Sequence, residues 1–251
     1  MPQVLEQTRT ETFSPSQTDD YMSPYYAGIY YPVEHEEKEM GETSYHIKLI
    51  TNFLQILLNF FHQRDDVFLS ANMNIYYEEN NPFRWYAPDL LIAFGVPNVE
   101  RSSYLLIREK VFPQIVFEVA SEKTWRNDVE EKLRFYDIYG AEEYYIFDPE
   151  FAYLPEPLMA FHRQGGRLVK MGIANDRIFS PLLGLEIVQG EGKFRLFNQN
   201  TKEFLLTLEE SEADKQRIKQ EAEADKQRIK QEANTEIERL KAEIERLKAE
   251  K

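Results

Sequence analysis

Residues 114–121 read QIVFEVAS, an apolar run that contains one acidic side chain, Glu118, between Phe117 and Val119. A short run with so little polar alternation is typical of a strand that is covered on both faces. An ionised carboxylate in such a strand costs free energy unless a positive charge or a hydrogen-bond donor pairs with it. The run therefore predicts a layered domain with a covered sheet, and it predicts a partner for Glu118.

The segments around this run alternate between helical and extended patterns. Apolar residues at helical spacing predict a first helix over about residues 43–63, and a second helix is predicted over about 126–139, where Gly140 ends it. Strand-like runs occupy 67–77, 89–95, 104–108 and 142–149. Beyond Pro155 short strands are separated by the turns RQGG and QGEGK, which are typical of hairpins. This order predicts a mixed α/β (α+β) domain rather than a doubly wound dinucleotide-binding fold.

The C-terminal segment is built from repeats. EADKQRIKQEA occurs at 212–222 and again at 223–233, and IERLKAE occurs at 237–243 and 244–250. The two heptads place isoleucine at one core position and leucine at the other, which favours a parallel two-stranded coiled coil. A solvated single helix is the alternative for this segment. We therefore expect a flexible leader over 1–27, a globular domain over 28–208 and a helical or coiled-coil tail over 209–251.

Composition excludes several classes of protein. The chain has no cysteine, which excludes disulfides and thiolate metal sites, and its four histidines are widely scattered. The first residues carry no secretory signal, and the apolar stretch at 53–61 is too short to span a membrane, so we expect a cytoplasmic protein. The net charge is −14, and residues 1–208 hold 31 acids and 19 bases. This balance argues against a protein that coats nucleic acid without selectivity.

Two acids are candidates for a shared site. Asp89 follows Pro88 at the start of one apolar run, and Glu118 lies inside a later one. If the two strands are neighbours, their carboxylates converge, and converging buried carboxylates persist mostly where a divalent cation neutralises them. Such a site suits phosphodiester hydrolysis, with a nearby lysine to stabilise charge on the phosphate. Lys132, four residues after Asp128 on the second helix, and Lys123 in the preceding loop are the candidate lysines.

Structural roles for the same residues remain open at this point. Asp89 could cap the turn after Pro88, and Glu118 could pair with Arg108 or Arg134 as a buried ion pair. Asp128 and Lys132 could form an ordinary surface pair on the helix. Two further side chains have open roles: Ser121 could bond to the start of the helix or to a phosphate, and His46 is expected to be a residue of the helix face rather than a ligand.

The motifs together resemble the Uma-type family, described as putative restriction endonucleases, of the PD-(D/E)XK nuclease superfamily. The resemblance covers about residues 28–205. It is carried by the motifs Pro88-Asp89, Glu118-Val119-Ala120-Ser121, Asp128 with Lys132, Tyr136 with Gly140, Glu143-Tyr144 before Asp148-Pro149, and Glu42 with His46 upstream.

The resemblance implies a restriction-endonuclease-like core, in which a central mixed sheet is flanked by helices. It implies that Asp89 and Glu118 bind Mg²⁺, with Mn²⁺ as a substitute, and that Glu42 contributes to the acidic cluster. In the superfamily motif a lysine lies two residues after the acid, but this position is Ala120 here. We expect Lys132 to take that role, because the family also carries a lysine on this helix.

We therefore expect a Mg²⁺-dependent endonuclease that hydrolyses phosphodiester bonds, with DNA as its partner. The alternative is a catalytically silent interaction module that forms a homodimer through residues 212–250. The missing lysine at Ala120, the acidic globular domain and the repeats support this alternative.

Overall fold

The computed structural model describes residues 21–33, 44–190 and 193–249. The chain divides into two compact units, residues 1–205 and residues 206–251. Most of the expected leader over 1–27, and Glu42, lie outside the described residues. No helix within the described ranges is long and apolar enough to cross a bilayer.

A six-stranded mixed sheet forms the centre of the first unit. Its strands are β3 (Val67–Ala71), β6 (Leu90–Phe94), β8 (Ile115–Val119), β9 (Glu143–Phe147), β10 (Leu158–Gln164) and β11 (Arg167–Met171). They lie in the order β11-β10-β9-β8-β6-β3, in which the β8–β9 pair is parallel and the other pairs are antiparallel. All five residues of β8 are buried, as the sequence of this strand predicts.

One face of the central sheet is covered by α1 (Ser44–Phe60) and by a second, antiparallel sheet. The strands of this second sheet are β12 (Arg177–Ser180), β13 (Leu185–Gly190), β14 (Lys193–Asn198) and β15 (Glu203–Phe204). Phe117 and Val119 of β8 point to this face, where they join the same buried cluster as Phe53 of α1.

The opposite face is covered by a helical segment that runs from residue 125 to residue 139. It consists of α3 (Trp125–Asn127), a π-helical turn (Asp128–Lys132) and α4 (Leu133–Tyr139). Gly140 ends it with φ = 95°, a left-handed conformation that glycine adopts with little strain. Val116 and Ala120, on either side of Glu118, pack in the cluster on this face. Glu118 therefore points toward the helix that carries Lys132.

Shorter elements complete the first unit. They are β1 (Tyr25–Tyr26), β2 (Ile29–Tyr30), β4 (Ile75–Tyr76), β5 (Trp85–Tyr86), β7 (Tyr104–Leu105) and α2 (Leu106–Glu109). The strand predicted over 104–108 is thus partly wrong, because only its first two residues are extended. The helical turn that follows ends at Lys110, with φ = 62°, and Glu109 makes a buried ion pair with Arg101 at 2.8 Å. This pairing holds the turn in place.

The second unit is dominated by α5 (Leu208–Ala249), which buries none of its described side chains. Thr207 accepts a hydrogen bond from the Glu210 N–H, and the Glu210 carboxylate accepts one from the Thr207 N–H, which caps the start of the helix. Ion pairs three residues apart support its surface, including Glu238 with Lys241 at 3.0 Å. Together, the central mixed sheet, the flanking helices and the long C-terminal helix confirm the predicted fold class.

Candidate active site

Asp89 and Glu118 lie at neighbouring positions of two adjoining strands. In the antiparallel β6–β8 pair, Leu90 lies opposite Phe117, so the next position places Asp89 opposite Glu118. Asp89 immediately precedes β6, and its Oδ2 accepts a 2.6 Å hydrogen bond from the Val119 N–H at the end of β8. The structure therefore brings together two acids that lie 29 positions apart in the sequence.

Both oxygens of Glu118 have a donor on the covering helix. Lys132 Nζ lies 2.8 Å from Oε2, and the Tyr136 hydroxyl donates a 2.6 Å hydrogen bond to Oε1. Glu118 itself is 1% exposed. The two contacts fix the orientation of the carboxylate and supply the partner that its buried position requires.

Lys132 also contacts a second buried acid. Its Nζ lies 2.8 Å from Asp128 Oδ1, and the two side chains are 13% and 1% exposed. Asp128 and Lys132 are the first and last residues of the π-helical turn, a feature that occurs frequently at functional sites. The surface-pair interpretation of these residues is therefore wrong, because both side chains are withdrawn from solvent.

The balance of charge in this cluster shifts the ionisation of its members. Burial raises the pKa of Glu118, Lys132 opposes that shift, and Asp89 and Asp128 add to it, giving a pKa of about 8. Burial likewise raises the pKa of Asp128, against the opposing effect of Lys132. Burial lowers the pKa of Lys132, but the three acids outweigh burial and raise it above its usual value. The lysine is therefore a fixed positive charge.

His46 reaches the site from α1 on the other side of the strands. Its Nε2 lies 3.4 Å from Asp89 Oδ2, and the ring is buried. It lies on a helix face, as its position in the sequence predicts, and that face is directed at the acid. Asp89 thus has a histidine on one side and the end of β8 on the other.

The remaining predicted residues lie further from the acids or outside the described part of the chain. The Ser121 hydroxyl lies 3.0 Å from that of Thr124 and accepts a hydrogen bond from the Thr124 N–H, so it organises the start of the helix. Lys123 is exposed in the loop, and Lys132 is the lysine that contacts Glu118. Glu42 is not among the described residues.

Neither arginine considered as a partner of Glu118 takes that role. Arg108 lies over the rings of Tyr21 and Tyr26, at 4.8 and 5.0 Å, and Arg134 is exposed. Ala120 is buried on the face that Glu118 shares, and its small side chain leaves that face open to the lysine from the helix. The amine therefore approaches from the helix rather than from the strand.

Tyr136 has a more direct role than its place in the sequence indicates. Tyr136 is named above only as part of the family resemblance, whereas in the structure its hydroxyl bonds directly to Glu118 and its ring is completely buried. Burial and the neighbouring Glu118 carboxylate raise the pKa of Tyr136 well above its usual value, so the hydroxyl stays a donor. The sequence contains a signal for this contact. Asp128, Lys132 and Tyr136 are spaced four residues apart and therefore share one helix face.

The candidate site contains more acidic than basic side chains. Asp89, Glu118 and Asp128 bring three carboxylates against a single lysine, which leaves negative charge for a cation to offset. Within residues 21–33, 44–190 and 193–249, no group of three His, Cys, Asp or Glu side chains is arranged to hold a metal ion.

Comparison with known proteins identifies the class. The family profile that matches residues 34–188 is described as "Uma2: Putative restriction endonuclease". A crystal structure described as a putative nuclease belonging to DUF820, from Anabaena variabilis ATCC 29413, is similar with a TM-score of 0.44 and 11% identity. The similarity covers 63% of this chain and 81% of that one. No curated protein matches the chain.

The class defined by the family match is that of nucleases related to restriction endonucleases. The match spans well over half of the chain, and the protein belongs to the Uma2 family. The restriction-endonuclease-like family generally uses divalent metals, and membership in it points to nucleic-acid binding.

Proposed function

We propose that this protein is a Mg²⁺-dependent endonuclease that hydrolyses phosphodiester bonds in DNA. The observation that carries the proposal is the cluster in which Asp89 and Glu118 stand opposite each other while Lys132 contacts Glu118 at 2.8 Å. Two acids and an amine at one strand end are the groups that metal-assisted phosphodiester hydrolysis needs. We also propose that it acts in the cytoplasm, and a chain without cysteine does not depend on disulfides there.

Asp89 and Glu118 would hold the cation, and His46 would keep Asp89 in position. A bound divalent cation would offset the negative charge that develops on the phosphate oxygens. Mn²⁺ is expected to substitute for Mg²⁺, since both prefer oxygen ligands.

Lys132 would stabilise negative charge on the phosphate rather than remove a proton. Its pKa is raised by the neighbouring acids, so it stays protonated near neutral pH and has no lone pair to act as a base. Tyr136 would hold Glu118 in one orientation through the hydrogen bond to Oε1. The fixed position of these groups is the contribution that the fold makes to the chemistry.

A cleavage assay with matched variants tests the proposal. Purified full-length protein is incubated with supercoiled plasmid and Mg²⁺ or Mn²⁺, beside Asp89→Asn, Glu118→Gln and Lys132→Met. Glu131→Gln is the control, because Glu131 is exposed on the same helical segment. We expect cleavage by the wild type and the control and a loss of about 100-fold or more in the three site variants. Equal cleavage by all five proteins would assign the activity to a contaminant.

Substrate class is tested with the same proteins. Linear DNA, single-stranded DNA and RNA of equal length are compared at one salt concentration, because binding to phosphate depends strongly on salt. We expect cleavage of DNA at internal positions. Cleavage confined to RNA would keep the metal chemistry and overturn the assignment of DNA.

The second candidate function is a catalytically silent module that associates through its tail. The observation that favours it is Ala120, which stands where the superfamily motif has its lysine. Absence of metal-dependent cleavage with every substrate, together with concentration-dependent dimers, would support this candidate. For either function we propose a globular domain over 28–208 and a separate tail over 209–251.

A further inference from the structure

The tail helix exposes a regular set of large aliphatic side chains. Six of them are between 48% and 62% exposed: Ile218, Ile229, Ile237, Leu240, Ile244 and Leu247. A helix that is only a solvated spacer has no need of so much exposed aliphatic surface, because a stable single helix can be polar on all sides. The pattern therefore points to a covered face.

These side chains form one continuous stripe. At about 100° per residue, the six aliphatics together with Ala222 and Ala233 fall within an arc of about 100° over a length of about 44 Å. Each 11-residue repeat rotates the stripe around the helix by about +20°, and each heptad rotates it by about −20°. The two rotations therefore compensate along the tail. The tail thus offers eight apolar positions rather than the four that its heptads contain.

We propose that this stripe, residues 218–247, is covered by the same stripe of a second copy of the chain in a parallel, in-register two-stranded coil. Isoleucine at positions 237 and 244 with leucine at 240 and 247 is the combination that favours parallel dimers. The proposal holds for a nuclease and for a silent module alike, so it does not depend on the proposed function.

Charges beside the stripe select the parallel orientation. Glu236 and Glu243 occupy the position before each isoleucine, and Lys241 and Lys248 follow each leucine. In a parallel, in-register pair, each of these glutamates faces the lysine five residues further along in the second copy. An antiparallel pair would set glutamate against glutamate and lysine against lysine.

Two features of the seam limit the assembly to two chains. Ala222 and Ala233 leave the N-terminal half of the stripe thin, and Lys226 falls inside the arc between Ala222 and Ile229. A lysine in the seam is tolerated in a two-stranded coil, where its stem packs and its amine reaches solvent. In a larger bundle that amine would be enclosed.

Sedimentation of the full-length chain gives the first test. We expect a monomer–dimer equilibrium that shifts with concentration. Leu240→Asn combined with Leu247→Asn should weaken it by about tenfold or more, because it places amides in the seam. The control, Arg239→Gln with Arg246→Gln, lies on the outer face and should leave the equilibrium in place. A wild-type protein that stays monomeric at every accessible concentration would overturn the proposal.

Cross-linking tests the orientation and register of the two copies. The chain has no native cysteine that could form a competing disulfide. Ala222 lies in the stripe and Ala224 lies on the far side of the helix, two residues away. In a parallel, in-register dimer Ala222→Cys meets itself, so diamide should link the copies about tenfold faster than in Ala224→Cys. In an antiparallel dimer residue 222 lies opposite about residue 243, too far for a disulfide. Equal rates for the two variants would refute the parallel, in-register arrangement even if dimers form.

Discussion

Replacing Lys132 with methionine is the perturbation that most directly tests the description of the candidate site. The amine contacts Glu118 Oε2 and Asp128 Oδ1 at 2.8 Å each, and both acids are about 1% exposed. Methionine preserves most of the apolar stem but removes the charge. The variant would leave two buried carboxylates without their shared counter-ion.

The expected cost is about 3–5 kcal/mol, the range for removing one partner of a buried ion pair. Domain stabilities are about 5–15 kcal/mol, so the loss is a large part of the total. The cost must depend on pH, because protonation of the orphaned carboxyls relieves it. We therefore expect a smaller loss at pH 5, where the folded variant can keep these carboxyls protonated at little cost, than at pH 8.5, where keeping them protonated costs more.

Urea unfolding followed by tryptophan fluorescence measures this cost without interference from the tail. The chain has two tryptophans, Trp85 and Trp125, and both lie in the first unit. Lys170→Met is the matched control, because Lys170 is exposed and pairs with Glu156 at the surface. It should change stability by less than about 0.5 kcal/mol.

The triple variant Glu118→Gln, Asp128→Asn, Lys132→Met removes the charges together and should recover part of the loss. The reasoning would be refuted if Lys132→Met lost no more stability at pH 8.5 than the Lys170 control. It would also be refuted if the loss were the same at both pH values, since the cost would then not arise from buried charge.

Three further predictions concern the same region. Without metal, the free energy of unfolding should fall as pH rises from about 5 to 9. The reason is that the folded pKa of Glu118, about 8, exceeds its ordinary 4.5, so the folded state holds the proton to higher pH than the unfolded state. Urea titrations should give a slope of up to about 1.4 kcal/mol per pH unit, and Glu118→Gln should reduce that slope. Tyr136→Phe should cost about 1–3 kcal/mol in the same titration, because the buried Oε1 of Glu118 loses its donor; an unchanged midpoint would argue against that hydrogen bond. Gly140→Ala should cost about 1–2 kcal/mol, because alanine is strained at φ = 95°, and a thermal melt that matches the wild type would contradict this expectation.

The sequence predicted the layers of the fold because its periodicities are strong. The continuous apolar run at 115–119 identified a strand covered on both faces, and helical spacing located α1 to within three residues at its C-terminal end. The hairpin at RQGG was predicted from its two glycines, which have φ of 58° and 84°. Local signals of this kind do not depend on distant parts of the chain.

Other features could not be read from local pattern. The run at 104–108 has strand-like composition, but the ion pair between Arg101 and Glu109 and the left-handed Lys110 turn it into a helical turn. The π-helical turn at 128–132 leaves no mark in the sequence, since its residues are compatible with an ordinary helix.

The candidate site likewise combines features that the local sequence predicts with features that depend on how the chain folds. The proximity of Asp89 and Glu118 depends on which strands become neighbours, and sequence spacing alone does not determine that. The contact between Tyr136 and Glu118 depends on how the helix lies over the sheet. Resemblance to a family supplied the residue types and favoured Lys132 over Lys123, and the 2.8 Å contact between Lys132 and Glu118 agrees with that choice.

The eleven-residue repeat of the tail determines which changes in its length keep the apolar stripe aligned. Eleven residues make just over three complete helical turns, so duplicating or deleting one EADKQRIKQEA unit alters the length of α5 by about 16 Å while rotating the residues beyond it by only about 20°. Longer or shorter tails that differ by one such unit would therefore keep their apolar stripe aligned. Variants that differ by whole units of eleven should keep the stripe aligned, whereas a change of five or six residues would rotate the residues beyond it by more than about 100° and break the stripe.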